Sequence, residues 1–217
     1  MEHINKVLGD IKRVYPAHDA KAGYELAGFV WFQGWNDMVD RGTYPNRAQP
    51  GGYAQYSEVL VHFIRDVRKD LSAPKLPFVI GVMGVGGPVE KYGPDQKRYA
   101  GIHSEFRKAM AAPAKLSEFK GNVTAVFTEN YWDHQLSGLS SRMGKVNAKR
   151  RSLGNDKTLS AEERSKLVET YKADLFTKEE IRILETGISN AAYHYLGSSK
   201  VLGQIGKAFA DALAKMQ

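Results

Sequence analysis

Three apolar segments, each ending in glycine or polar residues, constrain the fold of this chain more than any other feature. Each segment is short and nearly continuous, so we predict strands over 26–33, 77–85 and 123–129. Amphipathic patterns predict helices between them, over 53–71 and about 95–112. Continuous apolar strands that alternate with helices are typical of a parallel sheet covered by helices on both faces. The pattern therefore predicts a three-layer α/β/α fold with a mainly parallel sheet.

The segment 34–52, which is rich in Gly, Asn, Asp and Pro, is predicted to be a loop, and the rest of the chain is predicted to be largely helical. One domain over 1–217 is expected from the length. The stretch 142–151 carries five basic residues and no acid, and we interpret it as a solvated linker or helix face, because no aromatic residue is interleaved for base stacking. Helical spacing and breaker residues predict further helices over 4–14, 160–174, 177–186 and 197–216.

Composition excludes several classes of protein. The chain has no cysteine, so disulfides, thiolate metal sites and a cysteine nucleophile are excluded. The net charge of +7 is a modest excess, which favours a basic surface over a nucleic-acid partner. No apolar run approaches the roughly 20 residues of a membrane span, and the first residues do not resemble a signal peptide. We expect no membrane association, and a cytoplasmic location unless a signal precedes this chain.

The first strand ends in an unusually polar tip, Gln33-Gly34-Trp35-Asn36-Asp37. Ligands of parallel sheets bind at the carboxyl ends of the strands. A glycine at such a tip allows a sharp turn with an accessible N–H, and Asn36 adds a second donor. Two converging donors can stabilise a developing oxyanion, whereas the alternative is a simple Asx turn after a strand.

A late histidine is the second candidate for chemistry. His194 precedes the last predicted helix, where it could point to the sheet edge and act as a general base. The alternative is a histidine packed against its neighbouring tyrosines. Tyr131, Trp132 and Asp133 follow the third strand, and we predict that they line a pocket, because aromatic rings and a carboxylate suit sugar faces and hydroxyls.

The block "WFQGWND" followed by "YHYLGS" and a terminal helix resembles the SGNH (GDSL-type) hydrolases, in particular their sialate O-acetylesterase-like carbohydrate-esterase branch. The resemblance implies a flavodoxin-like α/β/α fold and hydrolysis of carbohydrate or small-molecule esters without a metal or organic cofactor. It also implies an oxyanion hole from Gly34 and Asn36, with His194 as general base. Gln33, Trp35 and Asp37 would complete the substrate site.

Two features depart from the family pattern. The family's serine nucleophile follows its first strand, but none of the 33 residues before Gly34 is a serine. We therefore expect the nucleophile segment and its strand to be missing from this chain. The family also has an aspartate three residues before the histidine, where this chain has Ala191. Groups that could orient His194 instead are Ser189, Asn190 and Asp133.

The missing strand has a structural consequence. Without it, residues 26–33 form an edge of the sheet, and a flat apolar edge invites pairing, so we predict a homo-oligomer. Catalysis could use water activated by His194, or a recruited serine such as Ser189, Ser198 or Ser199, although helix capping is the simpler role for these hydroxyls. The alternative from another class is a non-catalytic remnant that binds carbohydrate or a protein partner.

Two other motifs are interpreted as structural. Glu129, Asp133 and His134 could hold a metal together with His194, but their spacing matches no known ligand pattern, so we predict none. The glycine-rich stretch 81–87 lacks the spacing and lysine of a phosphate-binding loop. We predict that these glycines allow close approach of backbone at a strand end.

Overall fold

The structure, a computed structural model, describes residues 2–217 as two compact units. The sheet unit comprises the residues up to Met83, Pro94–Phe127 and Lys207–Gln217. The helical unit comprises Gly84–Gly93 and Thr128–Gly206. The prediction of a single domain over 1–217 stays a prediction.

All three predicted strands are present, within narrower bounds than the sequence suggested. The strands are β1 (Phe29–Trp31), β2 (Phe78–Val82) and β3 (Val123–Phe127). The α-helices are α1 (Glu2–Gly9), α2 (Trp35–Val39), α3 (Ala54–Asp70), α4 (Pro94–Lys97), α5 (Ala100–Ala111), α6 (His134–Gly154), α7 (Ala161–Leu175), α8 (Lys178–Gly187) and α9 (Ser199–Ala214). None of the helices within residues 2–217 has the length and apolar character needed to cross a membrane.

The strands form a parallel sheet in the order β1-β2-β3. Phe29 pairs with Phe78, which in turn pairs with Val123. β2 is buried along its whole length, as expected of a central strand. β1 is an outer strand of the described sheet, and its Val30 is 37% exposed. The edge position matches the expectation from the sequence, while self-association through it stays a prediction.

Helices cover both faces of the sheet. On one face, Phe63 of α3 packs against Phe29 and Phe78, with ring centroids 5.9 and 6.2 Å apart. On the other face, Phe209 of α9 lies 5.3 Å from Phe32, ring to ring, and covers Gly81. Because side chains alternate along a strand, these contacts lie on opposite faces. The three-layer α/β/α fold predicted from the sequence is therefore confirmed.

The helical unit has a small apolar core of its own, formed where α7 and α8 pack against α6. Capping boxes fix the starts of α7 and α8, because Ser160 and Thr177 each exchange bonds with the glutamate three residues on. The basic stretch 142–151 lies within α6, where Arg142 pairs with Glu180 and most of the other basic residues are exposed. The core residues are Leu139, Val146, Val168, Phe176 and Leu184.

The structure corrects three predictions of local structure. The N-terminal α-helix ends at Gly9 instead of 14, and Asp10 (φ −149°, ψ 83°) separates it from a short 3₁₀ helix over Ile11–Arg13. The helix expected over 95–112 is broken into α4 and α5. The segment after β1, expected to be a loop, contains α2, which is too short to show a helical period in the sequence.

Candidate functional site

The tip of β1 turns sharply at a glycine that no other residue can replace without strain. Gly34 is buried, has φ 149° and ψ 0°, and starts α2. A Cβ at this position would lie 2.8 Å from the Phe106 ring of α5 and 3.3 Å from the Tyr56 hydroxyl of α3. The backbone at Gly34 is thus fixed between two helices, as a site that relies on a preorganised N–H requires.

The neighbouring polar side chains stabilise this turn through hydrogen bonds. The Gln33 side-chain amide donates to the Asp37 carboxylate over 3.1 Å, and the Tyr56 hydroxyl donates to the Gln33 carbonyl over 3.3 Å. Burial raises the pKa of Tyr56 to about 12, so its hydroxyl stays protonated. Asn36 lies exposed in the first turn of α2. Gln33 and Asp37 hold the turn, while the Asn36 amide faces solvent and is open to a ligand.

Trp35, at the start of α2, lines a cavity of about 600 Å³ in the sheet unit. The cavity lies among α2, the segment that follows it and the start of α5. Three arginines in its wall were missed by the sequence reasoning, because they are scattered between positions 41 and 98 without a local motif. The wall is formed by Trp35, Met38, Val39, Arg41, Arg47, Arg98, Tyr99, Ile102 and His103.

A histidine in this cavity wall is held in its neutral form. Burial, together with the charge of nearby Arg107, lowers the pKa of His103 to about 4. Its ring stacks on Tyr99 with centroids 6.0 Å apart. At neutral pH His103 is therefore an uncharged hydrogen-bonding group.

In the helical unit, His194 lies in a strained turn. It belongs to the 3₁₀ segment Ala192–Gly197, in which Tyr195 and Leu196 have φ of 54° and 61°. Such conformations cost about 1–3 kcal/mol each and are common at functional sites. The turn is fixed by the buried Tyr195 hydroxyl, which accepts a bond from the Gly84 amide (2.8 Å) and shares one with Thr128 (2.6 Å).

Asn190 orients the imidazole of His194. The Asn190 Oδ1 lies 3.0 Å from His194 Nδ1 and also accepts the Ala191 N–H over 2.8 Å. Because the Ala191 N–H can only donate, the atom it meets is an oxygen, and Nδ1 must donate to it as well. Nε2 then carries the lone pair, which is the form a general base needs.

The other groups considered for this role have different partners. The Ser189 hydroxyl donates to the Gly197 carbonyl over 2.9 Å. Asp133 caps α6 by accepting the Leu136 N–H and pairs with Lys200 over 2.9 Å. Burial of Asp133 favours a raised pKa, but these bonds outweigh it and lower the pKa below its usual value. The Ser198 hydroxyl accepts the Val201 N–H at the start of α9, consistent with a capping role.

The predicted aromatic pair after β3 is partly buried. Trp132 is 7% exposed and packs edge-on against Tyr195, with centroids 6.1 Å apart, whereas Tyr131 is half-buried. Among residues 2–217, no three His, Asp or Glu side chains converge as metal ligands. The sheet unit thus holds Gln33, Gly34, Trp35, Asn36 and Asp37, and the helical unit holds Tyr131, Trp132, Asp133 and His194.

Comparison with known proteins gives one match. Residues 10–115, about half of the chain, match the model of a family described as carbohydrate esterase, sialic acid-specific acetylesterase. The matched segment contains the block from Gln33 to Asp37 and every residue that lines the cavity, whereas His194 lies outside it. Comparisons with curated proteins and with solved structures found no match.

Proposed function

Residues 10–115 place this chain in the sialate O-acetylesterase-like family of carbohydrate esterases, and from that premise we propose that the protein hydrolyses ester bonds of O-acetylated carbohydrates. The observation that carries the proposal is the family match over the segment that contains Gly34 and Asn36. The local structure supports it, because Gly34 is fixed in a conformation that only glycine adopts easily.

We assign Gly34 and Asn36 to oxyanion stabilisation. The Gly34 N–H and the Asn36 side-chain amide are donors of the kind that bind the oxygen of a tetrahedral intermediate. Gln33 and Asp37 hold these donors by bonding to one another across the turn. Trp35, Tyr131, Trp132 and Asp133 are assigned to the walls that contact the carbohydrate.

We assign His194 as the general base. Nε2 accepts a proton from water as the water oxygen attacks the carbonyl carbon, and the carbonyl electrons move to the oxygen. The tetrahedral intermediate then expels the alcohol, which takes the proton from the imidazolium, and acetate is released. This role is supported by Asn190, which fixes the tautomer in which Nε2 carries the lone pair. Water is proposed as the nucleophile because the Ser189 and Ser198 hydroxyls, the alternatives near His194, bond to other groups.

The test is hydrolysis of p-nitrophenyl acetate by the wild type and by Asn36→Ala and His194→Ala. We expect kcat/KM to fall by about 10²–10³ without the oxyanion donor. Loss of the base should cost about 10²–10⁴. Matched controls are Asn155→Ala and His62→Ala, both at exposed positions, which should retain the wild-type rate.

The same experiment decides between the two classes of function. Equal rates in the wild type and all four variants would refute the esterase, because none of the assigned groups would then contribute to turnover. The proposal would in that case be a non-catalytic binder of carbohydrate or of a protein partner.

A further inference from the structure

The C-terminal end of α3 holds a buried positive charge that no carboxylate contacts. Arg68, in the last turn of α3, is only 7% exposed. Its Nε and Nη2 donate to the carbonyls of Leu76 and Asn122 and to the Asn122 side-chain oxygen, over 2.7–3.1 Å. These acceptors are all neutral, and within residues 2–217 Arg68 forms no ion pair. Buried charges are usually paired, because an ion loses its hydration on burial.

The carboxylate that acts on this charge, Glu118, is bonded to another arginine. Burial lowers the pKa of Arg68, and the charge of Glu118 acts in the opposite direction. Both Glu118 oxygens accept bonds from Arg65, over 2.6 and 3.3 Å. Both side chains of this pair are about half exposed, so solvent screens their charges. Glu118 therefore reduces the positive potential at Arg68 without bonding to it.

One nitrogen of Arg68 is open to a ligand. Its Nη1 bonds to no group among the described residues. In that part of the chain every fully buried polar side-chain atom has a partner, so solvent must reach Nη1. Arg68 lines a groove of about 440 Å³ between the end of α3 and the 3₁₀ segment Ser117–Phe119. Because its other nitrogens anchor the guanidinium, Nη1 can bind a ligand there with little loss of conformational entropy.

The rest of the groove adds further donors. Arg65, Lys69 and Ser72 line it together with Arg68, and Glu118 is the one acid in its wall, so two positive charges remain in excess. Ser72 has φ 52° just after the end of α3, a position where glycine is the usual residue. The serine is therefore strained where a glycine would not be, and it supplies a hydroxyl. Strained residues of this kind are common at ligand sites.

We propose that this groove binds a phosphate group, as the free ion or as a monoester, with Arg68 Nη1 as the central donor and Lys69 and Ser72 as further donors. A phosphate group carries about −1.5 to −2 charge at pH 7, which matches the excess of positive charge in the groove. Its oxygens accept charge-assisted bonds from guanidinium and ammonium groups. The groove volume lies in the range of small-ligand sites, about 300–1,000 Å³, so it also has room for an organic group.

The groove lies at the edge of the sheet where the strands begin. Leu76 and Asn122, which hold Arg68, shortly precede β2 and β3. Gly34 follows the end of β1, and in a parallel sheet the strand ends share the opposite edge. A phosphate group bound at Arg68 is therefore separate from the site at Gly34, and the inference does not depend on the proposed function.

The test is isothermal titration calorimetry of the full chain with inorganic phosphate, glycerol 3-phosphate and acetate at constant ionic strength. We expect at least one phosphate probe to bind at least about tenfold more tightly than acetate, since one additional bond to a charged group contributes that factor. The tighter of the two phosphate probes distinguishes the free ion from the monoester as the preferred ligand. Equal binding of all three probes, or no binding of either phosphate probe, would overturn the proposal.

Amide resonances of the wild type locate the bound anion. In ¹H–¹⁵N spectra, titration with the tighter phosphate probe should shift the amides of Lys69, Ser72 and Phe119, which line the groove. Saturating shifts confined to Trp35 and Arg98 would place the anion in the cavity beside α2 and overturn the proposal. This measurement uses no variant, so it decides the matter even if a substitution in the groove prevents folding.

Variants test the individual donors. Lys69→Gln combined with Ser72→Gly should raise the Kd of the phosphate probe by about tenfold or more. The urea midpoint should not fall, because glycine adopts the positive φ of residue 72 without strain. The matched control, Lys12→Gln, removes the same charge from an exposed position outside the groove and should leave the Kd within about twofold. Arg68 is left intact because it holds the end of α3. An equal effect of the groove variant and the control on the Kd would contradict the assignment.

Discussion

Substitution of Gly34 by alanine should destabilise the sheet unit severely. The new Cβ meets the Phe106 ring at 2.8 and 2.9 Å, distances that real Cβ atoms essentially never show. The backbone, at φ 149°, is strained for any residue with a side chain, which costs about 1–3 kcal/mol. Overpacking against a buried ring costs about 1–3 kcal/mol more. We expect a total loss of about 2–6 kcal/mol, a large share of the 5–15 kcal/mol typical of a folded protein.

A second glycine allows the cost of the strained backbone to be measured without a side-chain clash. Gly121 also has a positive φ, 86°, but a Cβ there would meet nothing within 4 Å. Gly121→Ala should therefore lose only the conformational part, about 1–3 kcal/mol. The difference between the two alanine variants measures the contact with Phe106.

The assay is equilibrium urea unfolding of both variants and of Gly34→Ala combined with Phe106→Leu. Removing the ring should relieve the clash, so the double variant should be more stable than the sum of its single substitutions by about 1–3 kcal/mol. If Gly34→Ala is no less stable than Gly121→Ala, the turn is not held against Phe106, and the rigidity argued for the Gly34 N–H is lost.

Three further predictions concern single side chains. Asn190→Asp should keep the orientation of His194 and stabilise its charged form, so the rising limb of the pH–rate profile of ester hydrolysis should move to higher pH; an unchanged profile would separate Asn190 from the base. Tyr195→Phe leaves the buried Gly84 amide without its acceptor, so the free energy of unfolding, measured by urea titration, should fall by about 1–3 kcal/mol. A change near zero would contradict the hydrogen-bond network around the strained turn. The pKa of His103 is about 4 when folded and about 6.5 when unfolded, so the unfolded chain takes up the proton first. The free energy of unfolding should therefore fall by about 2–3 kcal/mol as the pH drops from 6.5 to 4. His103→Gln should show less of this loss, and identical slopes of stability against pH in the two proteins would refute the assignment.

The layered fold could be predicted because its signals are local. Each strand is a continuous apolar run, and burial of β2 on both faces leaves no room for polar alternation. The close approach expected of the glycine-rich stretch 81–87 is also confirmed, since a Cβ at Gly84 would lie 1.9 Å from the Glu129 backbone nitrogen. The family resemblance drawn from the block around Gly34 is confirmed over residues 10–115.

The basic cavity could not be predicted, because its wall joins residues that are far apart in the sequence. Arg41 and Arg98 are neighbours only once α2 and α5 pack together, and neither lies in a recognisable motif. The turn around His194 could not be predicted from the sequence for a different reason. Nothing in the local sequence reports that Tyr195 and Leu196 take positive φ, since the bonds that stabilise them come from Gly84 and Thr128.

The group that orients His194 could be narrowed to three candidates from the sequence, but not identified. The sequence left Ser189, Asn190 and Asp133 open, because all three are near in the chain or at the same edge. Geometry separates them: Asn190 bonds to the imidazole, while Ser189 and Asp133 bond to other groups. Choosing among hydrogen-bonding side chains requires interatomic distances that are known to within a few tenths of an ångström. The spacing of residues in a sequence does not give such distances.

The central claim, that the turn at Gly34 serves ester hydrolysis, is tested most directly by acetate release from an O-acetylated saccharide. The comparison is between the wild type and Asn36→Ala, an exposed position where the substitution should leave the urea midpoint unchanged. We predict release by the wild type and a rate about 10²–10³ lower in the variant. Equal rates in the two proteins at equal stability would contradict the claim.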